Sequence, residues 1–110
     1  MDLGPFSLSL PVADLTASRA FYERLGFSRL DGDDTSWVLL AAGLTKIGLF
    51  RGLFDRTTLT FHPSDVRAAQ RTLKTDGLEF VVEADDATTG PAHAMLLDPD
   101  GNPILLDQTA

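Results

Sequence analysis

The segment from Val12 to Phe27, VADLTASRAFYERLGF, decides how the rest of the chain is interpreted. Its apolar residues recur at helical spacing, with an aspartate near the start and a glycine near the end. Asp14 suits a helix N-cap, because its carboxylate can accept a hydrogen bond from a free backbone N–H. Gly26 suits the left-handed residue that ends a helix. The segment therefore predicts one short amphipathic helix.

The same pattern recurs fifty-one residues later, in PSDVRAAQRTLKTDGLEF. Asp65 precedes Gly77 by the same spacing that separates Asp14 from Gly26. The alternating segments FSLSLPV and RTTLTFH, which precede the two helices, align as well. A strand with one buried face is typical of such alternation. Two copies of one unit are therefore predicted, too few for a solenoid.

Each copy predicts the element order β-α-β-β-β, which places the chain in the α+β class. A single domain, residues 1–110, is expected, because a chain of 110 residues has no room for a second one. Its two βαβββ modules are predicted at about residues 5–53 and 54–110. The strands that follow the helices are predicted at 27–30, 36–41 and 45–50 in the first copy, and at 79–82, 92–97 and 103–107 in the second.

Composition narrows the possible partners. The formal net charge of −7 would repel phosphate backbones, so neither nucleic acid nor an anionic membrane is expected as a partner. The chain has no cysteine, which excludes disulfides, thiolate metal sites and a cysteine nucleophile. No segment resembles a signal peptide or a membrane span, so the default expectation is a cytoplasmic protein.

Two stretches carry a resemblance to a known family: LPVADLTASRAFYERLGF, at residues 10–27, and DPDGNPILLDQ, at residues 98–108. Together they resemble the vicinal oxygen chelate superfamily, also called the glyoxalase/bleomycin resistance/dioxygenase family. The resemblance implies paired βαβββ modules whose sheets curl around a shared cleft. It also implies that a second chain commonly completes a protein of this length, so a homodimer is expected.

Catalytic members of that family hold a divalent metal with His, Gln or Glu side chains on the first and last strands of the modules. The resemblance places Ser7, Thr58 and Leu105 at three of these positions, and Gly48 near the fourth. A metal needs several strong donors at about 2.0–2.5 Å, which these residues do not supply. No metal and no cofactor are therefore predicted, and the catalytic residues stay unassigned.

Strand alternation then indicates which side chains line the expected cleft. Small hydroxyls, an aromatic ring, an apolar side chain and a few charges suit a small organic ligand. A cleft that is filled, or buried in a dimer, is the alternative without a ligand. The predicted ligand-binding residues are Ser7, Ser9, Lys46, Phe50, Thr58, Thr60, Leu105 and Asp107.

Two charge preferences are open for that ligand. Asp107 beside Phe50 would favour a cationic compound with a planar part, because charge pairing and stacking then act together. Lys46 and Arg56 would favour an anion instead.

The remaining candidates have simpler interpretations. His62 and His93 could make a displaced metal site with Asp107, but a hydrogen-bonded or solvent-edge histidine is the more ordinary role for each. Phe21 and Tyr22 are predicted to pack in the core. Trp37 is on a predicted strand and can face either the core or the cleft.

The function predicted from these features is metal-free binding of an unidentified small molecule, similar in kind to the antibiotic-sequestering members of the family. The first alternative is a metal-dependent lyase, isomerase or dioxygenase. The second is a metal-independent enzyme that uses Asp107 or a histidine as its base.

Overall fold

The computed structural model describes all 110 residues and contains seven strands and two helices, which confirms the α+β class. Neither helix has the length and apolar character needed to cross a bilayer. The elements are β1 Phe6–Pro11, α1 Leu15–Arg24, β2 Ser28–Gly32, β3 Trp37–Ala42, β4 Thr45–Phe50, β5 Thr58–Phe61, α2 Val66–Thr75, β6 Ala92–Leu97 and β7 Pro103–Gln108.

The helix termini agree with the sequence prediction. Asp14 and Asp65 are the N-caps, and each carboxylate accepts a hydrogen bond at 3.0 Å from the backbone N–H three residues later. Gly26 and Gly77 follow the C-caps with φ values of 103° and 93°, a conformation that favours glycine. Both helices have 10 residues, and their bounds differ by the same offset that relates the two halves of the sequence.

The chain divides into two compact units. The N-terminal unit is Ser7–Thr58, and the C-terminal unit is Leu59–Ala110 together with Met1–Phe6. The N-terminal arm joins the C-terminal unit because the Pro5 carbonyl accepts a hydrogen bond from His62 N at 2.9 Å.

In the N-terminal unit the strand order is β2-β3-β4-β1, with β1 parallel to β4 and the other pairs antiparallel. One face of these strands packs on α1. Each fully buried Leu, Ile or Val on that face contributes on the order of 1.5–3 kcal/mol. The buried core of the unit is Leu15, Val38, Leu40, Ile47 and Leu49.

In the C-terminal unit β7 lies between β5, to which it is parallel, and β6, to which it is antiparallel. Its core against α2 is Val66, Ala84, Ala94, Leu96 and Leu106. The alternation predicted for β5 is confirmed, because Thr58 and Thr60 are buried while Leu59 is exposed.

The prediction of a strand at residues 79–82 is wrong. Only an isolated bridge forms there, between Val82 and Met95. The backbone N–H groups of Val81 and Val82 both donate to the Met95 carbonyl, at 2.9 and 3.2 Å. Because two successive donors share one acceptor, a regular ladder cannot continue. The second half is therefore β-α-β-β.

The prediction for the two helix aromatics is half right. Tyr22 packs against the core of the N-terminal unit, whereas 57% of Phe21 is exposed. Adjacent residues on a helix do not share a face, so only one of them can point at the sheet. Phe21 instead contacts Tyr22 edge-on, with ring centroids 5.2 Å apart.

Candidate functional site

The candidate site is the sheet face of the N-terminal unit that points away from α1. Residues alternate between the two faces of a strand, and the core residues of β3 and β4 point toward the helix. Their neighbours along each strand therefore form the opposite face, here called the aromatic face. Its residues from β1, β3 and β4 are Ser7, Ser9, Pro11, Trp37, Leu39, Ala41, Lys46, Gly48 and Phe50.

Three aromatic rings meet on the aromatic face. Trp37 and Phe50 are partners in the β3–β4 ladder, and their rings are nearly parallel, 8° apart, with centroids at 6.1 Å. Phe54 contacts Phe50 edge-on, at 5.2 Å and 83°. All three residues are half-buried, so part of each is accessible to a ligand. Trp37, whose side the sequence left open, lies on this face rather than in the core.

Gly48 provides the space that the Phe50 ring occupies. A β-carbon at Gly48 would lie 2.6 Å from Phe50 Cε2, closer than real atoms approach. The ring therefore leans along β4 over the glycine. This position, expected near a metal-ligand site of the family, instead accommodates an aromatic ring.

The hairpin before Trp37 is held by one carboxylate. Asp33 Oδ1 accepts hydrogen bonds from the backbone N–H groups of Thr35, Ser36 and Trp37, at 3.0, 2.8 and 3.0 Å. The Ser36 hydroxyl donates to Asp33 Oδ2. The Ser36 hydroxyl first, and then these backbone donors, lower the pKa of Asp33 well below its ordinary value. The ionised Asp33 side chain thus fixes the start of β3, which begins at Trp37.

Lys46 is half-buried on the aromatic face, and its ammonium group forms neither an ion pair nor a hydrogen bond within the chain. It is the only charged residue in β1, β3 and β4. The outer strand β2 adds Asp31 to this side of the sheet, opposite Leu39 in the ladder, and Asp31 is exposed.

The hydroxyl residues predicted for the site are less accessible. Ser7, Ser9 and Thr58 are 2%, 1% and 1% exposed. Each of them has an interaction partner within the chain; Thr58 Oγ1 donates to the Arg56 carbonyl at 3.0 Å. Ligand contact by these groups stays a prediction.

The remaining predicted site residues lie in the C-terminal unit. Thr60 and Leu105 are ladder partners and are buried. Asp107 is half-buried opposite His93 on β6, and its backbone carbonyl lies 3.1 Å from His62 Nδ1. His62 is thus hydrogen-bonded and His93 is exposed, as the ordinary interpretation expected.

The residues at the family's metal positions do not fit a divalent metal. Two hydroxyls, a glycine and a leucine supply no strong donor set. Nowhere in the chain do three or more His, Asp or Glu side chains come together in a way that could hold an ion. No chemical step through a metal is therefore derived for this chain.

A concavity of about 440 Å³ lies beside α2 in the C-terminal unit. Its cations are already paired: Arg71 with Asp86 at 2.6 Å, and Lys74 with Glu83 at 2.5 Å. No aromatic side chain lines it. The aromatic face is therefore the better candidate for an organic ligand.

Solved structures share this fold at low sequence identity. A structure described as NAD-dependent benzaldehyde dehydrogenase from Legionella pneumophila is 13% identical, covers 96% of this chain and 100% of its own, and has a TM-score of 0.81. A superfamily member from Vibrio splendidus 12B01 is 20% identical, with coverages of 94% and 97% and a TM-score of 0.64. Methylmalonyl-CoA epimerase in complex with methylmalonyl-CoA is 16% identical, with coverages of 99% and 96% and a TM-score of 0.69.

No curated protein matches the sequence significantly. The family model of the Glyoxalase/Bleomycin resistance protein/Dioxygenase superfamily, in contrast, matches residues 4–106, nearly the whole chain. The strand and helix order described above agrees with that match and with the solved structures. This chain therefore belongs to the glyoxalase/bleomycin resistance protein/dioxygenase superfamily.

Proposed function

We propose that this chain binds a planar small organic molecule on the aromatic face and does so without a metal. The observation that carries the proposal is the cluster of Trp37, Phe50 and Phe54 on one side of a sheet. Half-buried aromatic rings offer both faces and edges for contact with a planar ligand. Binding sites for organic molecules typically combine such apolar walls with a few placed polar groups.

Sequestration of a drug-like compound or a metabolite is the role proposed for this binding. The strands of the aromatic face contribute no histidine and no cysteine, so a nucleophile with an adjacent base is not assembled there. The solved structures named above are at most 20% identical, so the ligand class is argued from the side chains of this chain alone. Action in the cytoplasm stays a prediction from the sequence.

A metal-independent enzyme is the second candidate. Asp107 is half-buried, its carboxylate has no hydrogen-bond partner within the chain, and His93 stands opposite it in the ladder. A carboxylate and an imidazole on paired strand positions are the side-chain types that general acid–base chemistry uses. A metal-dependent lyase, isomerase or dioxygenase would need donors that the expected positions lack. Stoichiometric metal after chelator-free purification, lost in His62→Ala or His93→Ala, would favour that alternative.

A homodimer is also proposed. Phe21 on α1 and Leu25, the C-cap four residues later, are 57% and 61% exposed. Exposed large apolar side chains in a small domain are commonly covered by a partner. Sedimentation equilibrium should show a dimer at micromolar concentrations, and Phe21→Glu should weaken it. A monomer throughout that range would reject the proposal.

The experiment for the binding proposal is a thermal-shift and calorimetry screen of planar aromatic compounds. Its variants are Phe50→Leu and the matched control Phe21→Leu, which makes the same change on α1. Compounds that stabilise the wild type should also stabilise Phe21→Leu, while Phe50→Leu should bind them roughly two- to tenfold more weakly, because aromatic contacts of this kind contribute about 0.5–1.5 kcal/mol. Equal binding to all three proteins would overturn the proposed site.

A further inference from the structure

We infer that the ligand of the aromatic face carries an anionic group and that Lys46 recognises it. This inference rests on the binding function proposed above. It starts from the charge distribution: the three strands β1, β3 and β4 contribute one charged residue, and that residue shares a face with the aromatic cluster.

The state of Lys46 gives the first support. Its side chain is half-buried, yet its ammonium group has no partner within the chain. The other lysine, Lys74, is paired with Glu83. The ammonium group can therefore bind an incoming carboxylate or phosphate without breaking an internal ion pair, and hydrogen bonds between charged groups are among the strongest ones available.

The distance between Lys46 and Phe50 gives the second support for an anionic ligand. Four residues apart on one strand, their Cα atoms are separated by about 13 Å. Gly48 lies between them and has no side chain, and the Phe50 ring leans over it. The ladder partners of Gly48 are Ser9 on β1 and Leu39 on β3, and the ladder partner of Lys46 on β3 is the small Ala41. An aromatic acid whose ring contacts the Trp37 and Phe50 rings and whose carboxylate points along β4 toward Lys46 therefore suits the aromatic face.

Opposing charges are few on this face. Asp31 is exposed on the outer strand β2, and its carboxylate accepts a hydrogen bond from Gly32 N at 2.8 Å. The net charge of −7 repels anions from the whole molecule, but this repulsion is largely screened at physiological salt. The cation preference that Asp107 suggested in the sequence finds no support within the N-terminal unit. Local charge thus favours an anion.

The test is calorimetry with three ligands that share a naphthalene ring and differ in charge: naphthoate, naphthamide and naphthylmethylammonium. The variants are Lys46→Met, Lys46→Arg and the control Lys74→Met. Naphthoate should bind the wild type most tightly. Lys46→Met should weaken naphthoate about tenfold or more while leaving naphthamide nearly unchanged, because a hydrogen bond to a charged group is lost. Lys46→Arg and Lys74→Met should both bind naphthoate within about threefold of the wild type. Lys46→Arg keeps a cation at the site, and Lys74 lies in the other unit.

Failure of the inference and failure of the proposed function look different. If naphthamide binds and Phe50→Leu weakens it, but Lys46→Met does not change naphthoate affinity, the binding function stands and the anion preference is wrong. Tighter binding of naphthylmethylammonium than of naphthoate would likewise leave the binding function standing and show that the anion preference is wrong. If none of the three binds the wild type, the proposed function fails and the role of Lys46 falls with it.

Discussion

The ring of Phe50 occupies the space above Gly48, so closely that a β-carbon at Gly48 would lie 2.6 Å from Phe50 Cε2. This contact directs the ring along β4 and into its stack with Trp37. A glycine usually weakens a strand, because it has no side chain to pack. Here its absence of a side chain makes the aromatic cluster possible.

Gly48→Ala should therefore displace the Phe50 ring without unfolding the protein. The contact is with the far end of a flexible side chain, and the backbone at Gly48 has no positive φ that an alanine would resist. The free energy of unfolding should change by less than about 1 kcal/mol. The fluorescence of Trp37, the only tryptophan, should shift, and aromatic ligands should bind roughly two- to tenfold more weakly. Thr45→Ala, at the exposed start of the same strand, is the control; an unchanged Trp37 signal and unchanged binding in Gly48→Ala would contradict this account.

Asp33 predicts a specific response to acid. The hydrogen bonds to Asp33 lower its pKa in the folded chain. The ionised carboxylate therefore stabilises the fold at pH values above its ordinary pKa of 3.8. This stabilisation is lost as the pH falls from that value through the lower pKa of the folded chain. Asp33→Asn should lower Tm at neutral pH and flatten the pH dependence of stability between about pH 5 and pH 2. The control is Asp31→Asn in the same hairpin. A pH dependence identical to that of the wild type would exclude Asp33 as the main acid-sensitive group of the hairpin.

Arg67 is a buried cation that connects α2 to the loop before β6. It is 7% exposed and donates to the carbonyls of Asp85 and Gly90, at 2.8 and 2.9 Å, and to Thr88 Oγ1 at 2.7 Å. Arg67→Met should lower the free energy of unfolding by about 1.5–3 kcal/mol, because two carbonyls lose charged donors. Arg71→Met, one turn later and exposed, should cost at most about 1 kcal/mol. Urea denaturation of both variants checks this; equal losses would show that the buried contacts add nothing beyond a surface ion pair.

Local patterns in the sequence predicted the helices well. Asp14, Asp65, Gly26 and Gly77 act through contacts within a single turn, so residue type and spacing suffice to place them. The bounds of β4 and β6 were also predicted, because their apolar runs are bounded by turn residues.

The failures have a different physical origin. Val81 and Val82 have high strand propensity, but their pairing depends on how two N–H groups meet the Met95 carbonyl, which is a tertiary contact. Arg67 falls in an amphipathic helix where a charged residue is ordinarily expected to be solvated, and only the fold brings three acceptors around it.

The candidate site was only partly predictable. Strand alternation put Lys46 and Phe50 on one face, but it could not place Phe54, which follows β4 in an irregular segment. The side taken by Trp37 depends on the register between β3 and β4, which sequence alone leaves open. The stack with Phe50 follows only once that register is known.

We propose above that the aromatic face binds a planar organic molecule. The most direct measurement is a two-dimensional NMR titration of the isotope-labelled protein with naphthoate, following the Trp37 indole and the backbone amides. We expect the largest shift changes to cluster at Trp37, Gly48, Phe50 and Phe54, and to require a higher naphthoate concentration in Phe50→Leu but not in Phe21→Leu. Shift changes centred on the groove beside α2 or on Asp107 and His93, or a titration without any change, would contradict it.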